Sequence, residues 1–449
     1  MTAFEALKSV YSDGAYSNMA LNEAIPRHQG CRDSFVRNLA KGTIRQTITL
    51  DYIIGMLASN GLKGIRTRTL IILRMGLYTI REMDSVPDHA AVNEAVALAR
   101  KTARGTDRFI NAVLRSYIRR RAEFEVSGDV ADVLPAFIES ISEPVKRLSV
   151  QYSMPEDLVA LVISQYGDEA ESILHGLNEP PDVILRVNTL KTTKEQLISD
   201  LAEAGIRAED APGSGTPHGT GTDPESGYVH SAAVKASGRG IIESDLYRNG
   251  HFTVQSLSSM LAVSALAPVP GSKVLDMCAA PGGKSTMMAE MMGNEGSVTA
   301  CDIHEHRLEL IKASAARTGT DIIETRLMDG TQYDSTLEGK FDYVLADVPC
   351  SGLGVMSTKP EIRLRTDVSS YSGLADTQLE ILENAFRYTR PGGHICYSTC
   401  TLNRNENEGV IGRFMKGQSG RHADIVEMRT VLPYNNLIGF YYCIIEKSF

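Results

Sequence analysis

The spacing of apolar positions changes along the chain. From Met1 to about Arg121 they recur at helical intervals, and Asp88 stands where it can cap a helix that carries Ala91 and Val92. A second helical run shows the same spacing at Phe109, Ile110, Val113, Leu114, Tyr117 and Ile118. This pattern predicts an all-α N-terminal domain over residues 1–122.

The pattern is mixed in the next part of the chain. An acidic, loosely patterned stretch over residues 123–140, clearest at Glu123–Pro135, indicates a linker. Within a small middle domain at 141–268, Val183–Val187 is typical of a strand and Thr193–Ala204 of an amphipathic helix. Ala211–Gly227 is a polar, glycine-rich surface loop to which we assign no function.

From Gly271 onward, short apolar runs alternate with helical patterns. The expected strands are Val274–Asp276, Val298–Asp302, Ile322–Leu327, Tyr343–Ala346 and His394–Ser398, with Tyr441–Ile445 as a closing strand. This alternation predicts a Rossmann-like, doubly wound α/β domain over residues 269–449. In such a sheet, ligands bind beyond the carboxyl ends of the strands.

Composition and charge narrow the class of protein. The seven cysteines include no Cys-x-x-Cys pair, and the histidines lack metal-ligand spacing, so we expect no disulfide and no metal. No segment is apolar enough to span a membrane, and we expect a cytoplasmic monomer. Residues 1–123 contain 19 Lys and Arg against 11 Asp and Glu, although the whole chain has a net charge of −9. The basic part suits a polyanion partner.

A candidate cofactor loop follows the first strand of this domain. It consists of Cys278, Ala279, Ala280, Pro281, Gly282, Gly283 and Lys284, and a helix is expected to begin near Ser285. The glycines permit close approach of a ligand, but the spacing departs from the dinucleotide fingerprint, so S-adenosylmethionine fits better than NAD. Asp302 and Asp329 end the next two strands, where they suit the ribose and the adenine. Each aspartate is about as well explained as a helix cap.

Two cysteines follow strand ends at the same edge. Cys350 stands after Asp347-Val348-Pro349, and Cys400 ends Tyr397-Ser398-Thr399-Cys400. A thiolate that adds to C6 of cytosine makes C5 nucleophilic enough to accept a methyl group. Asp347 is placed to stabilise the adduct near N3 and could also touch the cofactor. The residues alone leave open which thiol attacks.

These residues together resemble the RNA cytosine-C5 methyltransferases of the NOL1/NOP2/Sun type, over most of residues 141–449. The resemblance implies that Cys400 is the nucleophile and that Cys350 aids product release, whereas DNA cytosine-C5 methyltransferases attack with their Pro-Cys thiol. It also implies that the loop, Asp302, Asp329 and Asp347 contact S-adenosylmethionine. Arg186 would then help to hold the cofactor or the RNA.

The N-terminal domain is similar to the NusB-type RNA-binding domain at Gly14–Ser17, Val86–Val96 and Phe109–Arg115. Together with the methyltransferase resemblance, this similarity implies a partner in the small ribosomal subunit: 16S rRNA or an assembly intermediate. The sequence therefore predicts methylation of one cytosine of 16S rRNA.

Other functions are compatible with parts of the pattern. A tRNA cytosine-C5 methyltransferase would share every catalytic motif. A non-catalytic RNA-binding assembly or transcription factor would explain the helical domain, but not the two thiols beside an intact glycine loop. A dehydrogenase is disfavoured because its fingerprint is missing.

Overall fold

The computed structural model describes residues 1–28, 30, 32–125, 134–211, 232–435 and 437–448. Residues 126–133 of the predicted linker and 212–227 of the predicted loop lie outside this part of the chain. Two compact units are present, Met1–Asn178 with Met356–Val368 and Glu179–Val355 with Ser369–Phe449. Residues 141–178, which the sequence analysis assigned to the middle domain, are grouped with the first unit.

The first unit is helical, as predicted. Its helices are Thr2–Asp13, Ser17–Ala24, Asp33–Arg45, Thr47–Leu57, Thr67–Glu82, Asp88–Thr102, Asp107–Arg119, Arg121–Phe124, Ala136–Glu139, Pro144–Tyr152, Glu156–Tyr166 and Ala170–Gly176, with 3₁₀ turns at Gly167–Glu169 and Pro360–Leu364. Helix Asp107–Arg119 buries Ile110 and Leu114 on its apolar face. Asp88 does not cap its helix, because Pro87 occupies the cap position and the Asp88 carboxylate accepts a hydrogen bond from Arg121.

Residues 356–368 join this helical unit although they follow the Cys350 motif in sequence. Arg363 is buried and donates to the Ser153 carbonyl at 3.2 Å and to Asn178 Oδ1 at 3.0 Å. Burial lowers the pKa of Arg363 to about 9. The buried Glu361 carboxylate accepts a hydrogen bond of 2.7 Å from Ser17. Both charged side chains therefore have partners that lie far away in sequence.

The second unit begins with a four-stranded antiparallel sheet in the order β2-β3-β1-β4. Its strands are β1 (Val183–Val187), β2 (Arg207–Asp210), β3 (Ala233–Ser237) and β4 (Phe252–Val254), with helices Lys194–Glu203, Asp245–Arg248 and Leu257–Leu266. The predicted strand and the predicted helix are both confirmed. Thr193 caps that helix, and its side chain accepts a hydrogen bond from the Gln196 amide.

A seven-stranded sheet forms the rest of this unit in the order β10-β11-β9-β8-β5-β6-β7. The strands are β5 (Lys273–Asp276), β6 (Ser297–Asp302), β7 (Ile323–Leu327), β8 (Phe341–Asp347), β9 (Thr389–Thr399), β10 (Ala423–Val431) and β11 (Phe440–Lys447). Helices Gly283–Met291, Glu305–Thr318, Tyr371–Tyr388 and Glu408–Lys416 accompany them, with 3₁₀ turns at Ser335–Leu337, Leu353–Val355, Val368–Ser370 and Ser419–His422.

The five strands from β9 to the edge strand β7 are parallel, and β11 and β10 continue the sheet in antiparallel pairing. From β5 the chain adds β6 and β7 on one side of the sheet and then returns to add β8 on the other side of β5. The crevice between β5 and β8 at this switch point is where such folds bind ligands. His394 lies inside β9 and not at its start, since that strand begins at Thr389. The predicted Rossmann-like fold is confirmed. No helix in the described ranges has the length and apolar character needed to cross a bilayer.

Candidate active site

The glycine loop turns sharply at the carboxyl end of β5. The Ala280–Pro281 peptide bond is cis, and Gly282 has a φ of 102°. Its neighbour Gly283 begins the nine-residue helix Gly283–Met291, whose first N–H groups have no partner within the helix and no side-chain cap. A Cβ added at Gly283 would approach only Gln255 Oε1, at 3.9 Å. The loop therefore leaves room for a ligand against the backbone and fits an anionic or nucleoside group.

We expect Gly282→Ala to weaken S-adenosylmethionine binding about tenfold or more, because a side chain at this φ costs roughly 1–3 kcal/mol. The added Cβ would also lie 3.2 Å from the Ile311 backbone. Isothermal titration calorimetry measures the change. Gly412→Ala is the matched control, since Gly412 is helical and has open space around its Cβ position. Equal affinity of both variants would show that the loop conformation does not matter for binding.

Asp276 is a polar residue that the sequence analysis left out of the candidate site. It ends β5 with no exposed surface, and its Oδ2 accepts a 2.6 Å hydrogen bond from Ser285. Its Oδ1 is buried and has no partner among the described residues. Burial raises the pKa of Asp276 to about 7. A buried acceptor beside the glycine loop is consistent with a polar or cationic ligand there.

Asp302 and Asp329 lie where the sequence placed them, at or just after the ends of neighbouring parallel strands. Asp302 is nearly buried, and its carboxylate accepts from the His304 amide at 3.0 Å and from Arg307 at 3.2 Å. Asp329 accepts from both the amide and the hydroxyl of Thr331. Each aspartate therefore stabilises the turn after its strand, but neither caps a helix as the sequence allowed, because the next helical segments have His304 and Asp334 at their N-caps. A ligand role would be additional to this role in the turn.

Asp347 lies at the end of β8 beside the glycine-loop lysine. Lys284 donates to its Oδ2 at 2.6 Å, and the buried Ser398 hydroxyl donates to its Oδ1 at 2.8 Å. Burial lowers the pKa of Lys284, but the charge and the hydrogen bond of Asp347 outweigh burial and raise it overall. Asp347 thus joins the cofactor loop to the strand that leads to Cys400.

The two candidate thiols meet beyond the ends of β8 and β9. The Cys350 and Cys400 sulfurs are 3.3 Å apart, within hydrogen-bond distance, and both side chains are partly exposed. The hydrogen bond with Cys400, burial and the negative charge of Glu406 all raise the pKa of the Cys350 thiol. By contrast, Cys301 and Cys396 are buried within strands. Among the cysteines that the structure describes, only Cys350 and Cys400 lie side by side and are both accessible to solvent.

No group of His, Cys, Asp and Glu side chains in the described ranges is arranged to hold a metal ion. Cys31 lies outside those ranges.

Three family models match the chain. The model described as 16S rRNA methyltransferase RsmB/F matches residues 263–437. The NusB family model matches residues 1–119, and the model of the Methyltr_RsmF/B-like, ferredoxin-like domain matches 154–216. A relative from Bacillus subtilis (strain 168), named probable ribosomal RNA small subunit methyltransferase B, is 34% identical over 99% of this chain and 98% of its own length. This chain belongs to the RsmB/F methyltransferase family.

Solved structures share the architecture of this family member. The crystal structure of PH0851 has a TM-score of 0.78 at 23% identity and covers 99% of this chain and 98% of its own. That of NSun6 from Pyrococcus horikoshii with SFG has a TM-score of 0.55 at 22% identity, over 66% of this chain and 98% of its own. At these identities the likeness shows the fold alone.

Membership of the RsmB/F family confirms the resemblance to RNA methyltransferases, the NusB-like domain and the use of S-adenosylmethionine for methyl transfer. The individual site residues stay predictions.

Arg186 has a different environment from the one that the sequence suggested for this RsmB/F protein. It is fully buried, and all five of its N–H donors bind protein groups. Two of them hold the Glu290 carboxylate at 2.8 and 2.9 Å, and one reaches the Gly283 carbonyl at 2.6 Å. Arg186 therefore supports the helix that follows the glycine loop, and its guanidinium has no donor left for a ligand.

Sequence reasoning also missed a buried carboxylate next to the thiols. Glu406 is fully buried and accepts hydrogen bonds from Ser351, Gln378 and Asn403. Its position after the Thr-Cys motif, amid asparagines, was the only local signal.

Proposed function

We propose that the protein methylates C5 of a cytosine in 16S rRNA through a covalent bond between Cys400 and C6 of the base. The 3.3 Å approach of the Cys350 and Cys400 sulfurs, at the strand ends beside the glycine loop, carries this proposal. The description of the matching family as 16S rRNA methyltransferases, and the names of its relatives, support the choice of RNA.

The chemistry of cytosine explains why a thiol is needed. C5 is a weak nucleophile until a thiolate adds to C6, which makes C5 resemble a carbanion. Bound S-adenosylmethionine supplies an electrophilic methyl group that C5 can then take. Afterwards a water molecule removes the C5 proton, the C5–C6 double bond reforms, and the bonding electrons of C6–S return to Cys400 as a thiolate.

The surrounding charges favour different roles for the two thiols. A negative charge on Cys400 raises the pKa of Lys284, so the lysine ammonium and a Cys400 thiolate attract one another. The hydrogen bond with Cys400 and burial raise the pKa of Cys350, and the charges of Cys400 and Glu406 add to them, which favours the neutral Cys350 thiol. A thiolate at Cys400 and an S–H group at Cys350 are the protonation states that attack and assisted release require. The choice of Cys400 as the nucleophile itself rests on the family resemblance.

The remaining site residues would bind the ligands. The Cys278–Lys284 loop, Asp302 and Asp329 would hold S-adenosylmethionine, with Asp276 as a buried acceptor beside them. Asp347 presents carboxylate oxygens between Lys284 and Ser398, which suits N–H groups on the N3 and N4 edge of the base. The target cytosine has to leave its stack to reach the thiols, so unpaired or loosened RNA is the expected substrate. The basic NusB-like domain would contribute phosphate contacts.

Cys350→Ala is expected to accumulate a covalent enzyme–RNA adduct, because the departing Cys400 sulfur loses its hydrogen-bond donor. Turnover should fall by on the order of 100-fold. Incubation with S-adenosylmethionine and unmodified 16S rRNA, followed by a denaturing gel, reveals the adduct as a slowly migrating band.

The Cys350→Ala/Cys400→Ala double variant is the control and should form no band. A band that persists in the double variant would contradict attack by Cys400. If tRNA and not 16S rRNA yields the adduct, the reaction stands and the tRNA alternative replaces the proposed substrate.

A further inference from the structure

Both peptide groups that flank Cys350 are held by two buried side chains. On one side, Gln378 Nε2 donates to the Pro349 carbonyl at 2.9 Å. On the other, the Ser351 amide donates to Glu406 Oε2 at 2.8 Å. Gln378 also donates to the same Glu406 oxygen, at 3.0 Å, so the two side chains form one unit. We name this pair the Cys350 clamp.

Burial of the two clamp side chains costs free energy, which their hydrogen bonds offset. Gln378 and Glu406 have no exposed surface, and a buried carboxylate is strongly unfavourable unless it is well hydrogen-bonded. The Glu406 carboxylate accepts four hydrogen bonds, from the amide and hydroxyl of Ser351, from Gln378 and from Asn403 at 2.9 Å. These four hydrogen bonds hold the Glu406 carboxylate in one position.

The same network extends to the loop that carries Cys400. The Ser351 and Thr401 hydroxyls are 2.7 Å apart, and the Gly354 amide donates to the Cys400 carbonyl at 3.0 Å. Asn407 donates to the Thr401 carbonyl at 3.0 Å. The backbone on both sides of the thiol pair is therefore linked through Ser351 and its partner Glu406.

We propose that Glu406 and Gln378 are positioning residues that hold Cys350 as the hydrogen-bond donor to the Cys400 sulfur during product release. This inference rests on the proposed cysteine-adduct function and specifies how its last step is assisted. No bond at Cys350 is made or broken: the C5 proton goes to water, and the Cys350 S–H group donates a hydrogen bond to the Cys400 thiolate as it leaves C6. The negative charge of Glu406 helps to keep that S–H proton in place.

Glu406→Gln tests the clamp because it keeps the size of the side chain and removes the charge and one acceptor. We expect turnover on unmodified 16S rRNA to fall about 10- to 100-fold while the fraction of enzyme trapped as adduct rises. General damage to the fold would lower both quantities together. Glu380→Gln is the matched control, since Glu380 is exposed on the same helix as Gln378 and should leave both unchanged.

A second readout needs neither RNA nor cofactor. The rate of Cys350 alkylation by iodoacetamide is followed against pH by peptide mass spectrometry, with circular dichroism to confirm folding. The midpoint for Cys350 should move to lower pH in Glu406→Gln and should not move in Glu380→Gln. If Glu406→Gln fails to fold, Gln378→Met interrupts the clamp at the Pro349 carbonyl and should likewise raise the adduct fraction.

The outcomes separate this inference from the proposed function. Unchanged turnover and adduct in Glu406→Gln, or a parallel loss of both, would overturn the clamp while wild-type activity leaves the proposed function intact. If Cys350→Ala forms no adduct dependent on Cys400, the proposed function and the clamp both fail.

Discussion

Cys400→Ala is expected to eliminate methyl transfer, with a loss of activity on the order of 10⁴-fold or more, because no covalent adduct can activate C5 without the nucleophile. Transfer of tritium from methyl-labelled S-adenosylmethionine to unmodified 16S rRNA measures the effect. The thiol is partly exposed beyond the end of β9, so its removal should leave the fold and the cofactor affinity nearly unchanged.

Cys396→Ala is the matched control, since this cysteine lies inside β9, four residues before Cys400, and is buried. It should lose stability but retain transfer. The nucleophile assignment would be wrong if Cys400→Ala kept its activity while Cys350→Ala lost the ability to form any adduct.

Glu290→Gln is expected to destabilise the protein by about 3–5 kcal/mol, because it leaves the Arg186 guanidinium buried without its counter-charge. Both side chains of this ion pair have no exposed surface, and their nitrogen and oxygen atoms are 2.8 Å apart. The pair connects β1 to the helix that follows the glycine loop, so cofactor affinity should fall as well. Urea unfolding gives the change in stability.

The control is Glu309→Gln, which breaks an exposed ion pair with Lys312 on a nearby helix. Exposed pairs of this kind contribute little to stability, so its unfolding midpoint should match that of the wild type. A shift in Glu290→Gln no larger than that of Glu309→Gln would mean that the buried pair is not needed for the fold.

Much of the catalytic domain could be predicted because its strands are short apolar runs whose ends carry polar residues. The runs that end at Asp276, Asp302 and Asp347 occur where the structure has parallel strands, and the topology brings their carboxyl ends to one edge. Strand β10 escaped prediction since its exposed apolar residues, such as Val426 and Met428, follow no alternating pattern at the edge of the sheet.

Local sequence patterns could not predict contacts between residues that lie far apart in the chain. Arg186 pairs with Glu290 across 104 positions, and Arg363 donates to a carbonyl 210 positions away. A charged side chain in a sequence is ordinarily solvated, and only the fold shows that these two are buried. The clamp residue Glu406 escaped prediction for the same reason.

The spatial relation of the two thiols is information that only the structure provides. The sequence placed both Cys350 and Cys400 at strand ends but could not rank them, because either can attack in related chemistry. The structure adds that the two sulfurs lie 3.3 Å apart and that a negative charge on Cys400 raises the pKa of Cys350, so one thiolate beside one S–H group is the expected state of the pair.

Bisulfite mapping of 16S rRNA tests cytosine-C5 methylation most directly. Unmodified rRNA is incubated with S-adenosylmethionine and either the wild-type protein or Cys400→Ala, and every position is then read for 5-methylcytosine. We predict one new protected cytosine with the wild type and none with the variant. An rRNA that gains methyl groups without a protected cytosine, or that remains unmethylated while tRNA is modified, would contradict the proposed function.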